Sequence, residues 1–236
     1  MPQLASTPTA HKAGSRGYRR VTAALYGAGL ASFAAMYCTQ ALLPDLSTYY
    51  RITPATAALT VSLTTGMLAL SIIPASVLSE RYGRITVMLT SGALSSIIGL
   101  LLPFSPTLGV LLAGRALHGI ALAGIPAVAM AYLAEEVHAS SLGSAMGRYI
   151  AGTTIGGLAG RIIPSLVLGV SNWRVALLVC SLMTLVAMVV FALLVPRSQF
   201  FAPKMVSPRV TRQSLFSHLR NPVLLKLFTL AFTLMH

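Results

Sequence analysis

The sequence predicts an all-α membrane protein, organised as a bundle of six transmembrane helices. Of its 236 residues, 56% are hydrophobic and only 9% are charged, and the mean hydropathy is +0.79. A soluble domain carries roughly 25% charged residues, so this chain has too few charges to cover a water-exposed surface. The apolar residues are gathered in long runs separated by short polar turns, which is typical of repeated membrane crossings.

Six apolar runs reach the length of about 20 residues that a membrane-spanning helix needs. They cover residues 21–43, 55–78, 85–103, 107–133, 142–170 and 173–195. We expect the first run to end at Pro44 and the sixth at Pro196, with a tight turn at Phe104-Ser105-Pro106. A seventh run begins near Pro222 and is too short to cross before the chain stops at His236.

Basic residues separate the loops into two alternating sets. The N-terminus, the second loop and the segment after the sixth run are rich in them, with Lys12, Arg16, Arg19, Arg20, Arg81, Arg84, Arg197, Lys204, Arg209, Arg212 and Arg220. The first and third loops hold only Arg51. Because basic loops stay in the cytoplasm, we expect the N-terminus and residues 79–84 to be cytoplasmic. The net charge of +13 is then a topology signal, not a sign of nucleic-acid binding.

These patterns divide the chain into four regions. Residues 1–20 form a basic cytoplasmic tail, and residues 21–195 form the six-helix bundle. Residues 196–221 contain proline and arginine and are weakly apolar, which is typical of a cytoplasmic linker. We expect residues 222–236 to be the truncated start of a seventh helix.

Two arginines interrupt the apolar runs and are the leading candidates for a substrate or proton pathway. A charged side chain inside a bilayer costs at least about 2.5 kcal/mol and usually faces a bundle interior or a water-filled path. Arg115 and His118 share one helical face in the fourth run, and Arg161 lies in the fifth. The alternatives are that Arg115 caps backbone carbonyls and fixes packing, and that Arg161 snorkels towards the membrane surface.

Other polar residues are candidates to line the same pathway. Tyr37, Gln40, Tyr149 and Thr153 are expected to face a cavity and, with Arg115 and His118, they hint at a polar or anionic substrate. The chain has four acidic residues, all at predicted span ends: Asp45, Glu80, Glu135 and Glu136. Of these, Asp45 lies at the outer end of the first span, where a proton path would open.

The fifth run carries a face of small residues. Gly152, Gly156 and Gly160 recur at every fourth position and therefore share a helix face, with Gly157 beside them. Small residues let helix backbones approach closely in membranes. We expect these glycines to pack against a neighbouring helix and to provide the smooth contact that a rocking interface needs.

Residues 76–84 form a short charged hinge between the second and third runs. Their sequence resembles the signature loop of the major facilitator superfamily, G-x-L-a-D-R-x-G-R. Arg81, Gly83 and Arg84 match that signature, while Glu80 stands in place of the Asp and Ser76 in place of the first Gly.

Three further stretches resemble patterns of the same superfamily. Arg115 and Gly119 resemble the R-x-x-x-G signature of the fourth helix, and Asn172-Trp173-Arg174 resembles the start of the sixth. Residues 152–161 resemble the antiporter signature g-x-x-x-G-P-x-x-G-G, with Gly157 replacing the Pro and Arg161 the last Gly. Within that superfamily the chain resembles the drug- and arabinose-efflux-like bacterial permeases, including the YnfM-like group.

The resemblance implies two six-helix bundles that rock about a central site, each built from three-plus-three inverted repeats. This chain supplies the N-terminal bundle. The resemblance also implies a cytoplasmic charge network that acts as a conformational latch, in which Glu80 and Arg84 of the hinge meet Glu135 or Glu136. The alternative is a charged turn that only fixes topology.

We therefore expect transport of a small solute by alternating access, as proton-coupled efflux across a bacterial inner membrane. The expected partners are the solute, protons, the lipid bilayer and a second bundle. The alternative is a truncated, inactive or regulatory fragment, or a half-transporter that needs a partner chain or associates with itself. The sequence has no metal-ligand spacing, paired carboxylates or phosphate-binding glycine loop, so we expect no enzyme, cofactor, metal or nucleic-acid partner.

Overall fold

The computed structural model describes residues 10–196 and 198, which form six helical segments long and apolar enough to cross a membrane. These spans 1 to 6 are Arg16–Tyr50, Pro54–Tyr82, Arg84–Phe104, Leu108–Glu136, Ala139–Leu168 and Trp173–Leu194. Each corresponds to one predicted apolar run, so the predicted helical membrane fold is confirmed. Residues 1–9, the predicted linker 196–221 apart from Pro196 and Ser198, and the predicted seventh helix 222–236 lie outside the described residues.

Span 1 differs from the prediction at both of its ends. Its first helix, α1 (Arg16–Tyr37), begins earlier than expected because the Ser15 hydroxyl accepts a hydrogen bond from the Tyr18 amide. The span also continues past Pro44. A short 3-10 turn (Gln40–Leu42) leads into α2 (Leu43–Tyr50), and Pro44 lies in the first turn of α2, where a missing N–H leaves no hydrogen bond unmade.

Span 4 is also made of two helices, α5 (Leu108–Leu122) and α6 (Gly124–Glu136), which meet at Ala123. The other four spans are each built on one helix: α3 (Pro54–Tyr82), α4 (Arg84–Leu101), α7 (Ala139–Leu168) and α8 (Trp173–Leu194). A 3-10 turn, Leu102–Phe104, extends span 3 beyond α4. Spans 1 and 4 are thus the two discontinuous ones.

The two halves of the bundle, spans 1–3 and spans 4–6, repeat the same set of neighbours. Span 1 packs along spans 5 and 6, span 4 packs along spans 2 and 3, and span 3 meets span 6. Exchanging the halves leaves this pattern unchanged, as expected for a three-plus-three repeat. Spans 1 and 4 are accordingly the most buried of the six, and span 2 is the least buried.

The close contact between spans 1 and 5 depends on the predicted glycine face of α7. A Cβ atom built on Gly152, Gly156 or Gly160 would lie less than 3.0 Å from main-chain atoms of α1. The residues approached are Tyr26, Leu30 and Ala34, which follow the same four-residue spacing. Gly157 lies to one side of this face, with the Tyr37 ring as its nearest neighbour.

The equivalent contact in the other repeat pairing is made by Gly119. A Cβ on this residue of α5 would collide with the main chain of Thr64 in α3. Spans 4 and 2 therefore approach through a glycine as spans 1 and 5 do, and both contacts leave room only for a hydrogen atom. Close backbone packing of this kind is a principal source of helix association in membranes.

We predict that Gly156→Ala destabilises the bundle by about 1–3 kcal/mol, because the added methyl group overpacks the α1–α7 contact. The measurement is thermal unfolding in detergent, followed by a thiol-reactive dye that reports exposure of the buried Cys38 and Cys180.

The matched control is Gly147→Ala in the same helix, where a Cβ would meet nothing within 4 Å. This variant should unfold at the wild-type temperature or slightly above it, because alanine favours helix over glycine. Equal destabilisation by the two variants would contradict a role for the glycine face.

Candidate functional site

One end of the bundle carries a cluster of charges centred on Arg84; we call it the hinge end. The Arg84 guanidinium donates from Nε and Nη2 to Oε1 of Glu135, at 3.1 and 2.9 Å. Glu80 lies at 4.0 Å from the same guanidinium, one turn earlier in the chain. Only 12% of the Arg84 side chain is exposed. These contacts join the end of span 2 and the start of span 3 to the end of span 4.

The hinge places Arg84 through a single glycine. Gly83 has φ 98° and ψ 144°, which side-chain-bearing residues rarely adopt, so α3 ends at Tyr82 and α4 starts at Arg84. Arg84 Nη1 then donates to Oγ of Ser79 at 2.6 Å. Ser79 is fully buried and was absent from the predicted site, although it lies inside the signature-like stretch. Arg81 points elsewhere and lies over the Tyr82 ring at 5.3 Å.

The two adjacent acids at the end of α6 contact different elements. Glu135 pairs with Arg84, whereas the Glu136 carboxylate is buried and accepts a hydrogen bond from the Ser198 hydroxyl. The Glu136 carbonyl accepts from the amide of His11, and His11 in turn accepts from His138. Of the two predicted partners of Arg84, the structure thus selects Glu135, and Glu136 holds the segments before span 1 and after span 6.

Arg115 is fully buried and is held by backbone carbonyls of two other spans. Its Nη1 and Nη2 donate to the carbonyls of Ala35 and Met36 in the last turn of α1, at 3.1 and 2.8 Å. Its Nε donates to the Thr60 carbonyl of α3 at 3.0 Å. A cation at this place is stabilised by the partial negative charge of the α1 C-terminus. The geometry is that of the predicted alternative, a cap on carbonyls.

His118 completes the surroundings of Arg115. Its Nδ1 lies 3.2 Å from Arg115 Nη1, and because a guanidinium can only donate, Nδ1 is the acceptor. Both side chains are buried, and the gap beside His118, lined by Ser95, Ser96 and Thr184, is too small for a water molecule. A pathway role for Arg115 and His118 therefore stays a prediction, one that requires this arrangement to open.

Arg161 has the opposite environment, although it too lies within a span. Its side chain is exposed, its Nε donates to Oε1 of Gln40 at 2.8 Å, and its guanidinium carbon lies 4.4 Å from the centre of the Tyr37 ring. Three predicted pathway residues from spans 1 and 5 thus meet at the break between α1 and α2.

The remaining predicted pathway residues lie elsewhere. A Cβ atom built on Gly29 of α1 would lie 3.1 Å from Thr153 and 3.2 Å from Tyr149, so both residues are close to α1. Tyr149 is about 18 Å along α7 from Arg161 at 1.5 Å per residue. Asp45 is exposed at the end opposite the hinge, beside an open depression that includes Tyr49 and Trp173. Within residues 10–196 and 198, no three His, Cys, Asp or Glu side chains gather where they could hold a metal ion.

The end opposite the hinge is tied together by Arg174, which was absent from the predicted site. Its Nη1 donates to the Pro103 carbonyl at 2.8 Å and its Nη2 to the Tyr49 hydroxyl at 2.9 Å. The guanidinium also lies 4.4 Å from the centre of the Trp173 ring. The signal for this role was the Asn-Trp-Arg stretch at the start of span 6.

Comparison with known proteins identifies the family to which the sequence is similar. Residues 25–236 match the Major Facilitator Superfamily. The chain is 39% identical over 218 residues to the "Uncharacterized MFS-type transporter YybF" of Bacillus subtilis, covering 92% of this chain and 54% of that protein. It is 39% identical over 224 residues to the "Inner membrane transport protein YnfM" of Escherichia coli, covering 95% of this chain and 54% of that protein.

Solved structures show the same fold at lower identity. A bacterial homologue of the human lysosomal transporter Spinster superposes with a TM-score of 0.66 at 20% identity, covering 83% of this chain and 47% of that one. The chain therefore spans about half the length of the relatives that it matches.

We predict that Arg115→Lys destabilises the bundle by about 2 kcal/mol or more. A lysine ammonium cannot replace the planar set of donors, and buried carbonyls left without a donor are costly. The dye-monitored unfolding described above measures the change, and Cys38, whose Sγ lies 3.8 Å from Arg115 Nη1, should react earlier.

Arg161→Lys is the matched control, because it makes the same exchange at an exposed arginine with one hydrogen bond. It should change the unfolding temperature little. If both variants unfold at the same temperature, the burial and hydrogen bonding of Arg115 do not determine its contribution.

Proposed function

We propose, because the chain belongs to the Major Facilitator Superfamily, that it forms one half of a transporter that moves a small solute across a membrane by alternating access. The observation that carries the proposal is the 39% identity to two transporters along almost all of this chain. The activity requires a second six-helix bundle, since the chain spans about half of those relatives. The second bundle can come from a continuation of the chain, a second copy or a separate chain, and the transport experiment below distinguishes the first two sources.

We propose that the transporter exports its solute in exchange for protons. We also propose that it lies in a bacterial inner membrane, with the hinge end in the cytoplasm. The orientation is supported by the basic residues at the N-terminus and the hinge, together with the pairing of His11 with residues 136–138 at the same end. Asp45 at the opposite end is the proposed proton-binding residue of this half, with the second bundle as the alternative place for one.

The Arg84 cluster is the proposed conformational latch. Alternating access requires the hinge end to close as one surface, and Arg84, Glu80 and Glu135 fix the ends of spans 2, 3 and 4 relative to each other. Exposed ion pairs contribute only about 0–1 kcal/mol. Arg84 is mostly buried and has a third partner in Ser79, so its pairing with Glu135 should contribute more than an exposed pair.

The orientation is tested by cysteine labelling in intact cells. We expect a membrane-impermeant maleimide to label Ser171→Cys from outside, and Ser140→Cys only after the membrane is made permeable, because these exposed residues lie at opposite ends of the bundle. Native Cys38 and Cys180 are buried and should give little background. Labelling of Ser140→Cys in intact cells would reverse the proposed orientation.

Transport is tested in inside-out membrane vesicles with an acid lumen, made from cells that express the complete coding sequence or this chain alone. We expect a transported solute, found in a panel of small compounds, to enter as protons leave, so that the quenched fluorescence of an acridine dye recovers. Recovery with this chain alone would show that copies of the chain pair. A solute that enters without fluorescence recovery would contradict proton exchange but not transport.

The same vesicles test the latch. Arg84→Glu should slow solute entry by roughly tenfold, because it places three acids together and removes about 1.5–3 kcal/mol of charged hydrogen bonding. Adding Glu135→Arg restores opposite charges and should recover part of the rate. A double variant no faster than Arg84→Glu would mean that the pairing of residues 84 and 135 does not act as a latch.

A further inference from the structure

Arg161 is a cation inside a span, and in the part of the chain that the structure describes it has no acidic partner. The chain has four acidic residues, and the three at the hinge end are at or beside the Arg84 cluster, while Asp45 lies beside the outer depression. Within the described residues, Arg161 makes one hydrogen bond, from Nε to Gln40, and its Nη1 and Nη2 have no partner. The side of the guanidinium formed by Nη1 and Nη2 can therefore bind a ligand.

The exposed side of α7 that carries Arg161 mixes small, polar and apolar residues. Gly143, Gly147, Thr154, Arg161 and Ser165 are all exposed and are spaced by four or seven residues, so they follow one helix face. Ile150 and Leu158 are also exposed and lie within about one turn of Thr154, and the apolar surface continues through Ile155, Ile162 and Leu166. Because charged groups in spans usually face a bundle interior or a water-filled path, we infer that Arg161 faces such a path and not lipid.

Span 1 holds the Arg161 guanidinium in a fixed position. The Tyr37 ring supports one side of it at 4.4 Å, a cation–π contact, and Gln40 fixes Nε from the 3-10 turn. This turn is the break between α1 and α2, and breaks in membrane helices are frequent places for substrate binding. An arginine fixed through Nε presents Nη1 and Nη2 together, and carboxylates bind such paired donors in a bidentate manner.

We propose that Arg161, held by Tyr37 and Gln40, binds the carboxylate of an anionic organic solute; this inference deepens the proposed transport function and rests on it. Arg115 does not compete for this role in the described state, because its donors are engaged with Ala35, Met36 and Thr60. The anion supplies the negative charge that the protein itself does not place beside Arg161.

The experiment measures binding directly on the protein produced from its complete coding sequence, in a neutral detergent without anionic lipid. Two pairs of probes are used, benzoate with benzamide and succinate with succinamide, so that each anion has a neutral analogue of similar shape. We expect at least one of the two anions to raise the unfolding temperature with concentration, while its amide does not. No effect of either anion, or equal effects of an anion and its amide, would overturn the proposal.

Two variants and a control test whether the anion binds at Arg161. Arg161→Gln should weaken anion binding at least about tenfold, and Arg161→Lys should weaken it less, because one charge remains without the paired donors. Arg148→Gln is the control: Arg148 is on the same helix, is exposed, and lies over the Tyr18 ring at 5.5 Å. Unchanged binding in Arg161→Gln, or an equal loss in Arg148→Gln, would overturn the assignment to Arg161.

The outcomes separate this inference from the proposed function. Solute-driven proton release in vesicles that is unaffected by Arg161→Gln would reject the anion site and leave transport standing. Loss of anion binding in Arg161→Gln without any transported solute would retain the site and reject transport. Stabilisation by added phosphatidylglycerol but by neither organic anion would assign Arg161 to a lipid phosphate, and would also overturn the proposal.

Discussion

The buried guanidinium of Arg115 is the constraint on which the arrangement of the bundle depends. From span 4 it donates to the last turn of α1 and to the second turn of span 2, so one buried side chain joins three spans. Within residues 10–196 and 198 no acidic side chain pairs with it, and the carbonyl dipoles at the end of α1 stabilise its charge instead. Span 1 can break at this point because the carbonyls freed by the break are satisfied by Arg115.

The break in span 1 gives two arginines different environments. Arg115 approaches the break from the buried side, and its guanidinium donates to main-chain carbonyls. Arg161 approaches the break from the exposed side, and among the described residues its Nη1 and Nη2 have no hydrogen-bond partner. The glycine face of α7 makes this possible, because only a close α1–α7 contact brings Arg161 within reach of Tyr37 and Gln40. The same helix pair, α1 and α7, therefore provides both the close packing and the proposed anion site.

The hinge end shows a similar division between two adjacent acids. Glu135 and Glu136 are neighbours in the chain, yet helix geometry points successive side chains about 100° apart. Glu135 consequently meets Arg84, and Glu136 turns inward to the segments that enter and leave the bundle. The proposed latch therefore lies one residue from the contacts that hold the segments before span 1 and after span 6. A movement of the end of α6 would displace both sets of contacts.

The sequence by itself determined the membrane class, the six spans and their order, because hydrophobic length and the scarcity of charge admit little else in a bilayer. It also indicated the hinge, the glycine face and both intramembrane arginines, since each breaks the pattern of an apolar helix. Only the tertiary structure decided which arginine is enclosed and which acid meets Arg84. It also decided that span 1 continues beyond Pro44, and that Ser79 and Arg174 hold the two ends. These features depend on helix rotation and on contacts between residues far apart in the chain, which local periodicity does not encode.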